Sequence, residues 1–263
     1  MVNSGFFISF SSGSIILSGD IDPDSTVDLI QKYFGSFKSK VTPKFEPAVE
    51  DEILEPEYVT VTGSNTAWLN IGYRLPGVGN EDIYMIDLFD GLLNNGQAGL
   101  IDLNLIKAQK VLDAYSSSDI MKDYSTFELS GVPRDGQSLD EVKDLLLAEI
   151  EKVKSGDFED WMLKAVIKNF KLREQEGLLY NRMRTSMMTN AFILGQQWSD
   201  VVNIKEKLNK VSKDDMINFA NKYFKNNYVV VYKENGERSN PKVEKPEITQ
   251  VPLNRDTSSV FAK

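Results

Sequence analysis

Apolar residues along this chain recur in two rhythms, every second position in some stretches and at helical spacing in others. Residues 58–62 read Tyr-Val-Thr-Val-Thr, and residues 66–75 read Thr-Ala-Trp-Leu-Asn-Ile-Gly-Tyr-Arg-Leu. Both alternate and predict two strands around the turn residues Gly63, Ser64 and Asn65. Asn80 is a helix-capping residue, and Ile83, Ile86, Phe89, Leu92 and Leu93 then fall on one side of a helix. Asn94, Asn95 and Gly96 break it, and residues 99–110 continue as a second helical segment. Residues 113–118 and 124–131 give two further strands. Ser138 and Glu141 form a capping box before a helix with Leu139, Val142, Leu146, Ile150 and Val153 on its inner side. Ser155 and Gly156 end that helix. A long helical stretch covers about 158–191, shorter helices cover 198–208 and 213–224, and a last strand covers 228–232.

The two ends follow another pattern. Ile15, Ile16 and Leu17 read as a short buried strand closed by Gly19 and Asp20. Asp22 then offers an N-cap, Pro23 a first helical position, and Gly35 a stop after Val27, Ile30 and Phe34. Residues 36–56 are rich in Lys, Pro and Glu, and read as an extended linker. The expected division is a terminal strand–helix of a preceding unit at 1–35, a linker at 36–56, a complete unit at 57–233 and a polar tail at 234–263. The element order predicts an α+β fold, with helices against one face of a mostly antiparallel sheet.

Composition changes the picture chiefly by what it lacks. The chain of 263 residues has no histidine and no cysteine. A Ser-His-Asp triad or a Cys-His pair cannot be built, and zinc loses both of its commonest ligand types. The net charge of −9 argues against a general nucleic-acid binder, which needs a basic face. Residues 1–19 carry no charge, yet they lack a basic leader and are broken by Gly and Ser, so they read as strand and not as a membrane span or signal. Lack of cysteine fits the cytosol and equally an exported bacterial protein, so a cytoplasmic or periplasmic address stays open.

Carboxylate chemistry is the remaining route to catalysis. The pairs Asp22/Asp24, Glu50-Asp51-Glu52 and Asp214-Asp215 sit at caps, in the linker or on a helix start, where acidic residues serve the helix dipole. Lys171 to Glu176 is a mixed charge run on a helix, read as a solvated face. Met183, Met187, Met188 and Phe192 read as core or helix-interface packing. Gly77 and Gly79 lack the lysine that a phosphate loop needs.

Residues 17–35, Leu-Ser-Gly-Asp-Ile-Asp-Pro-Asp-Ser-Thr-Val-Asp-Leu-Ile-Gln-Lys-Tyr-Phe-Gly, resemble a recurring segment of the pitrilysin/insulinase family of zinc peptidases, which includes mitochondrial processing peptidase. There it closes one α/β repeat ahead of a linker. Residues 67–75 resemble the strand that enters a Pro-Gly turn. Residues 92–115 resemble a glycine-rich break, a helix and a Gly-Leu-Ala-Tyr-like strand, here Leu112-Asp113-Ala114-Tyr115. Residues 211–224 and 228–232 resemble the late helix and strand, and 246–255 a connector between halves.

The resemblance implies a LuxS/mitochondrial processing peptidase-like metallohydrolase fold. It also implies that the zinc motif H-x-x-E-H belongs to the preceding repeat, with no cofactor in this chain. In the zinc-facing repeats an arginine lies seven residues before the strand tyrosine; here Tyr115 matches the tyrosine and Ala108 stands at the arginine position. The implied function is a non-catalytic domain of a zinc metalloendopeptidase, forming part of the wall around an unfolded peptide. Its partner is the zinc-bearing repeat, on the same chain or a separate subunit. Asn94, Asn95, Gly96, Gly99 and Tyr115 are the implied cavity-lining residues. A pseudo-enzyme subunit or scaffold is the alternative, and an unrelated carboxylate enzyme such as a glycosidase is a third reading.

Overall fold

The computed structural model describes residues 5–10, 13–38 and 46–237. Residues 39–45 of the expected linker, most of the expected tail and the connector-like stretch 246–255 lie outside them.

Five strands form the main sheet: β3 (Glu57–Gly63), β4 (Trp68–Pro76), β5 (Asp113–Asp119), β6 (Tyr124–Val132) and β7 (Tyr228–Asn235). Their order across the sheet is β3-β7-β4-β6-β5. Only β3 and β7 run parallel; the other three pairings are antiparallel. The alternating stretches before and after Gly63 are both strands, but they do not pair. β7, from the far end of the sequence, lies between them.

Alternation along β4 sends Leu69, Ile71, Tyr73 and Leu75 inward, all buried. Ile71 sits opposite Val230 on β7 and Leu129 on β6, so inward residues form continuous rows across strands. The helices α2 (Ile83–Leu93), α3 (Leu139–Ser155) and α8 (Lys213–Tyr223) cover that face. Phe89 of α2 stacks on Phe224, just past α8, with ring centroids 4.2 Å apart. Phe127 on β6 meets both rings edge-on, at 5.2 and 5.1 Å.

Caps at α1 (Pro23–Phe34) and α3 fall where the sequence places them, but α2 begins after Asp82 without a side-chain cap, and Asn80 instead folds the turn before it by accepting from the Asp82 amide at 2.9 Å. Asp22 accepts from the Ser25 amide at 2.9 Å before α1. Ser138 and Glu141 close a reciprocal capping box, and Gly156 ends α3 in the left-handed conformation. Other boundaries move. The long stretch over 158–191 divides into α4 (Asp160–Leu178) and α5 (Asn181–Leu194), because Tyr180 takes extended backbone just after Gly177, a weak helix former. The stretch 198–208 becomes two short helices, α6 (Trp198–Val202) and α7 (Ile204–Leu208). Within 99–110 the regular segment is a π-helical turn, Asp102–Lys107.

The head forms a second, two-stranded sheet: β1 (Gly5–Phe10) pairs antiparallel with β2 (Gly13–Ser18). The sequence pattern reads residues 1–19 as strand and singles out only the second of the two. α5 packs on this hairpin, and Arg184 Nε donates to Ser18 Oγ at 2.7 Å. Little of α5 is buried beyond Ala191. Met183 is exposed and Met188 and Phe192 are half-buried, so the methionine group lies at a helix interface outside the core.

Because the aromatic cluster ties α2, β6 and the chain after α8 together, Phe89→Ala is expected to cost about 3–5 kcal/mol. Urea unfolding followed by circular dichroism measures it.

Candidate functional site

The face of the sheet opposite the helices is the first candidate. Odd-numbered β4 residues go to the core, so Asn70, Gly72 and Arg74 face the other way. Asn70 Nδ2 donates to Glu128 Oε2 at 2.8 Å, and Ser130 Oγ donates to Asn70 Oδ1 at 2.9 Å. Val59, Val61, Val229 and Val231 flank this polar centre on the β3–β7 side, by the register of the two strands. Among the described residues, no helix packs on this face. It is polar in the middle, apolar to one side and held in fixed geometry by the strands.

The break between α2 and the π-helical turn is the second. It winds around one buried carboxylate, Asp102. The amides of Asn95, Gln97 and Gly99 donate to Asp102 Oδ2 at 3.0, 3.1 and 2.9 Å, and Asn94 Nδ2 donates to Oδ1 at 2.9 Å. Asn95 Oδ1 accepts from the amides of Gln97 and Ala98. Gly96 has φ +77°, a left-handed position. A Cβ on Gly99 would overlap the backbone oxygen of Leu93. So the sparse glycines and paired asparagines build a preformed loop around a buried carboxyl group.

A third feature escaped the sequence reading. α2 carries Asp87 and Asp90 on a largely buried surface, and both meet the edge strand β5. Ser116 Oγ donates to Asp90 Oδ1 at 2.6 Å, and Ser118 Oγ donates to Asp87 Oδ1 at 2.9 Å. Burial pushes both carboxyls up, Asp90 to about 6, with the Asp87 charge adding to the Asp90 shift and the serine bonds opposing. A cavity of about 430 Å³ opens beside them, bounded by Asn94, Asn95, Phe170 and Arg173. Two aspartates three apart inside an apolar helix pattern were the available signal.

The structure thus gathers Asn94, Asn95, Gly96 and Gly99 into one loop, whose asparagines border the Asp90 cavity. Tyr115 lies on β5 with its neighbours Ala114 and Ser116 turned inward, so its own side chain faces the open side of the sheet, 48% exposed. Ala108 caps the π-helical turn. Of the carboxylate pairs in the sequence, Asp22 caps α1 and Asp215 closes the capping box of Ser212, each held below the ordinary carboxylate value by amide and hydroxyl bonds from its partner serine. No group of three or more acidic side chains is placed to hold a metal among the described residues. With histidine and cysteine absent too, the residues present do not fit a zinc ion.

The profile of the family described as "Peptidase M16 inactive domain" matches residues 14–170, more than half of the sequence. The chain belongs to that family. As an M16 inactive domain it is 20% identical over 220 residues to the zinc protease PqqE of Helicobacter pylori, covering 80% of this chain and 48% of that protein. Among solved structures it resembles a Helicobacter pylori protease with a TM-score of 0.76 at 18% identity, covering 84% of this chain and 55% of that one. It also resembles a peptidase M16 inactive domain from Pseudomonas fluorescens, with a TM-score of 0.72 at 12% identity and coverage of 88% and 56%. A chain of complex III2 from Candida albicans gives 0.70 at 14% identity, with coverage of 85% and 55%. These likenesses place the fold among M16 peptidase domains, so the α+β architecture holds. The chain spans about half the length of these relatives. No helix among the described residues is long and apolar enough to cross a membrane.

Two outcomes are expected of this M16 inactive domain. Asp102→Ala leaves buried amides without an acceptor, so it should cost about 2–4 kcal/mol and abolish hydrogen-exchange protection at Asn95, Gln97 and Gly99. Asp90 is raised in the folded state from 3.8 to about 6, so the folded protein favours its protonated form. Its contribution to stability is therefore full below about pH 4 and is lost as pH rises through about 6. Asp90→Asn mimics the protonated form, and at pH 7.5 it should gain roughly 1–2 kcal/mol over the parent, allowing for partial exposure. The gain should shrink toward pH 4, as thermal melts across that range would show.

Proposed function

We propose that this M16 inactive domain forms one wall of a peptide-enclosing chamber and works beside a zinc-bearing repeat, on the same chain or a partner subunit. The observation that carries this is the one-sided sheet. Its helix-free face has an ordered polar centre at Asn70, Glu128 and Ser130, suited to water and to the polar backbone of an unfolded peptide. In this reading residues 1–35 complete a preceding repeat, 36–56 link it onward, 57–233 are the inactive repeat and 234–263 lead away. The poorly buried α5 supports that division, since an element with so little buried surface gains stability from a further partner.

The chemistry of this chain is then confinement and orientation. Zinc supplies the activated water in the catalytic repeat. No hydrolytic step is assigned to residues here, and Ala108 offers no cation to a substrate carbonyl. Tyr115, on the open face, is the residue we place toward the chamber, whereas Asn94, Asn95, Gly96 and Gly99 lie with the helix layer beside the Asp90 cavity.

A second reading, a scaffold subunit without peptidase work, draws on the likeness to a chain of Candida albicans complex III2. One experiment separates them. The purified chain is assayed for zinc and for cleavage of an unstructured peptide, alone and mixed with a chain carrying H-x-x-E-H from the same source. Neither zinc nor cleavage is expected alone, and chelator-sensitive cleavage should rise on mixing. Stoichiometric zinc with activity in the chain alone would overturn the reading. A stable complex that raises no activity would favour the scaffold.

A further inference from the structure

At the β4 end of the open face runs the stretch 46–56, which forms neither helix nor strand and carries prolines at 47 and 56. Arg74 receives this stretch. Its Nη2 donates to the backbone oxygen of Asp51, its Nη1 lies 3.9 Å from the Glu50 carboxylate, and its guanidinium sits 5.2 Å over the Tyr124 ring. A cavity of about 650 Å³ lies between this strap and the sheet, lined by Glu50, Glu52, Ile53, Arg74, Tyr124 and Lys225 among others. The two sides are complementary: the strap carries Glu50, Asp51, Glu52 and Glu55, and the floor presents Arg74 and Lys225. Lys222, also in the lining, is already engaged by Asp82 at 2.6 Å.

The strap is held loosely. Val49 is 93% exposed and Leu54 is 81% exposed, and Glu50 keeps most of its solvent contact. An exposed ion pair of that kind contributes little. Only Ile53 and Pro56 are partly buried in 49–56. A groove that holds the backbone of a segment by one guanidinium bond and keeps a carboxylate nearby, without burying the segment's apolar side chains, recognises a chemical class and not one particular sequence.

We infer that the Arg74 end of the open face is a binding groove for extended, carboxylate-bearing peptide segments, and that residues 46–56 are its displaceable internal occupant. The inference rests on the open face being a peptide-facing wall, and it names the peptide chemistry that this end of the wall selects. The net charge of −9 works against an acidic ligand at long range, so selectivity comes from short-range contacts at Arg74 and Tyr124.

The absence of cysteine makes the test direct. Val49→Cys gives a single thiol on the strap for an environment-sensitive dye. The probe is a synthetic peptide of residues 47–56, Pro-Ala-Val-Glu-Asp-Glu-Ile-Leu-Glu-Pro, titrated onto the labelled full chain. A copy with Gln and Asn at the acidic positions serves as control. The acidic peptide should give a saturable dye response and the neutral copy should bind about two- to fivefold more weakly, as loss of an exposed ion pair implies. Arg74→Ala should weaken the acidic peptide by about tenfold, with Arg74→Lys in between because it keeps the charge and loses the fork. Glu50→Gln with Glu52→Gln loosens the strap and should tighten peptide binding. Circular dichroism confirms that each variant folds. Equal response to both peptides, or a response unchanged by Arg74→Ala, overturns the groove, as does no response in the loosened strap. Failure here with cleavage still restored on mixing with the zinc-bearing chain removes only the groove. Peptide binding with failed restoration removes the wall reading instead.

Discussion

The flat stacking of Phe224 on Phe89, with Phe127 edge-on to both, is the contact through which the rest of the fold is organised. It joins a helix from the middle of the chain, a strand that follows it and the turn after the last described helix. Aromatic rings bury large areas and prefer these geometries, so the contact fixes both distance and angle between layers. The end of α8 must therefore lie over α2, and β7 must enter the sheet beside β4. The fully buried apolar residues of β4 and β6, Leu69, Ile71, Leu75, Phe127 and Leu129, are committed to this side. The other side keeps Asn70, Glu128, Ser130 and Arg74, and is left free of helices among the described residues.

Acidic residues illustrate how placement decides chemistry. The chain has 39 of them, so carboxylates as such carry no functional information. Asp22, Glu141 and Asp215 sit at helix starts and are stabilised as anions. Asp102 serves as the post around which the 94–99 loop is wound. Asp87 and Asp90 lie under an edge strand, where burial favours the protonated form. None of these arrangements fits a metal ion. The family match to an inactive peptidase domain agrees with that chemistry.

Much of the fold was legible in the chain because local rules decide it. The capping box at Ser138, the Pro23 helix start and the Gly156 stop depend on neighbours three or four residues away. The periodicity of β4, β6 and α3 is likewise carried in single segments. The break at 94–99 was legible as a break, and its resemblance to a family segment marked it for function. Its internal wiring to Asp102 was not, since a carboxylate's partners are not written in its spacing. The aspartates on α2 were passed over because a polar residue on a helix is ordinarily read as solvent-facing.

The sequence by itself determined the strands and helices of the main unit with strong periodicity, β4, β6 and α3, and which of their sides are apolar, because those properties arise from periodicity and caps. It also determined that no histidine or thiol chemistry occurs here, since the residues are absent. Only the tertiary structure decided that β7 separates β3 from β4, because strand pairing across more than 150 residues depends on which apolar rows meet in three dimensions. It alone placed Tyr115 and Arg74 on the open face and the Asn94–Asn95 loop beside the Asp90 cavity. The residues of those sites come from separate elements, and only packing against a shared core brings them to their places.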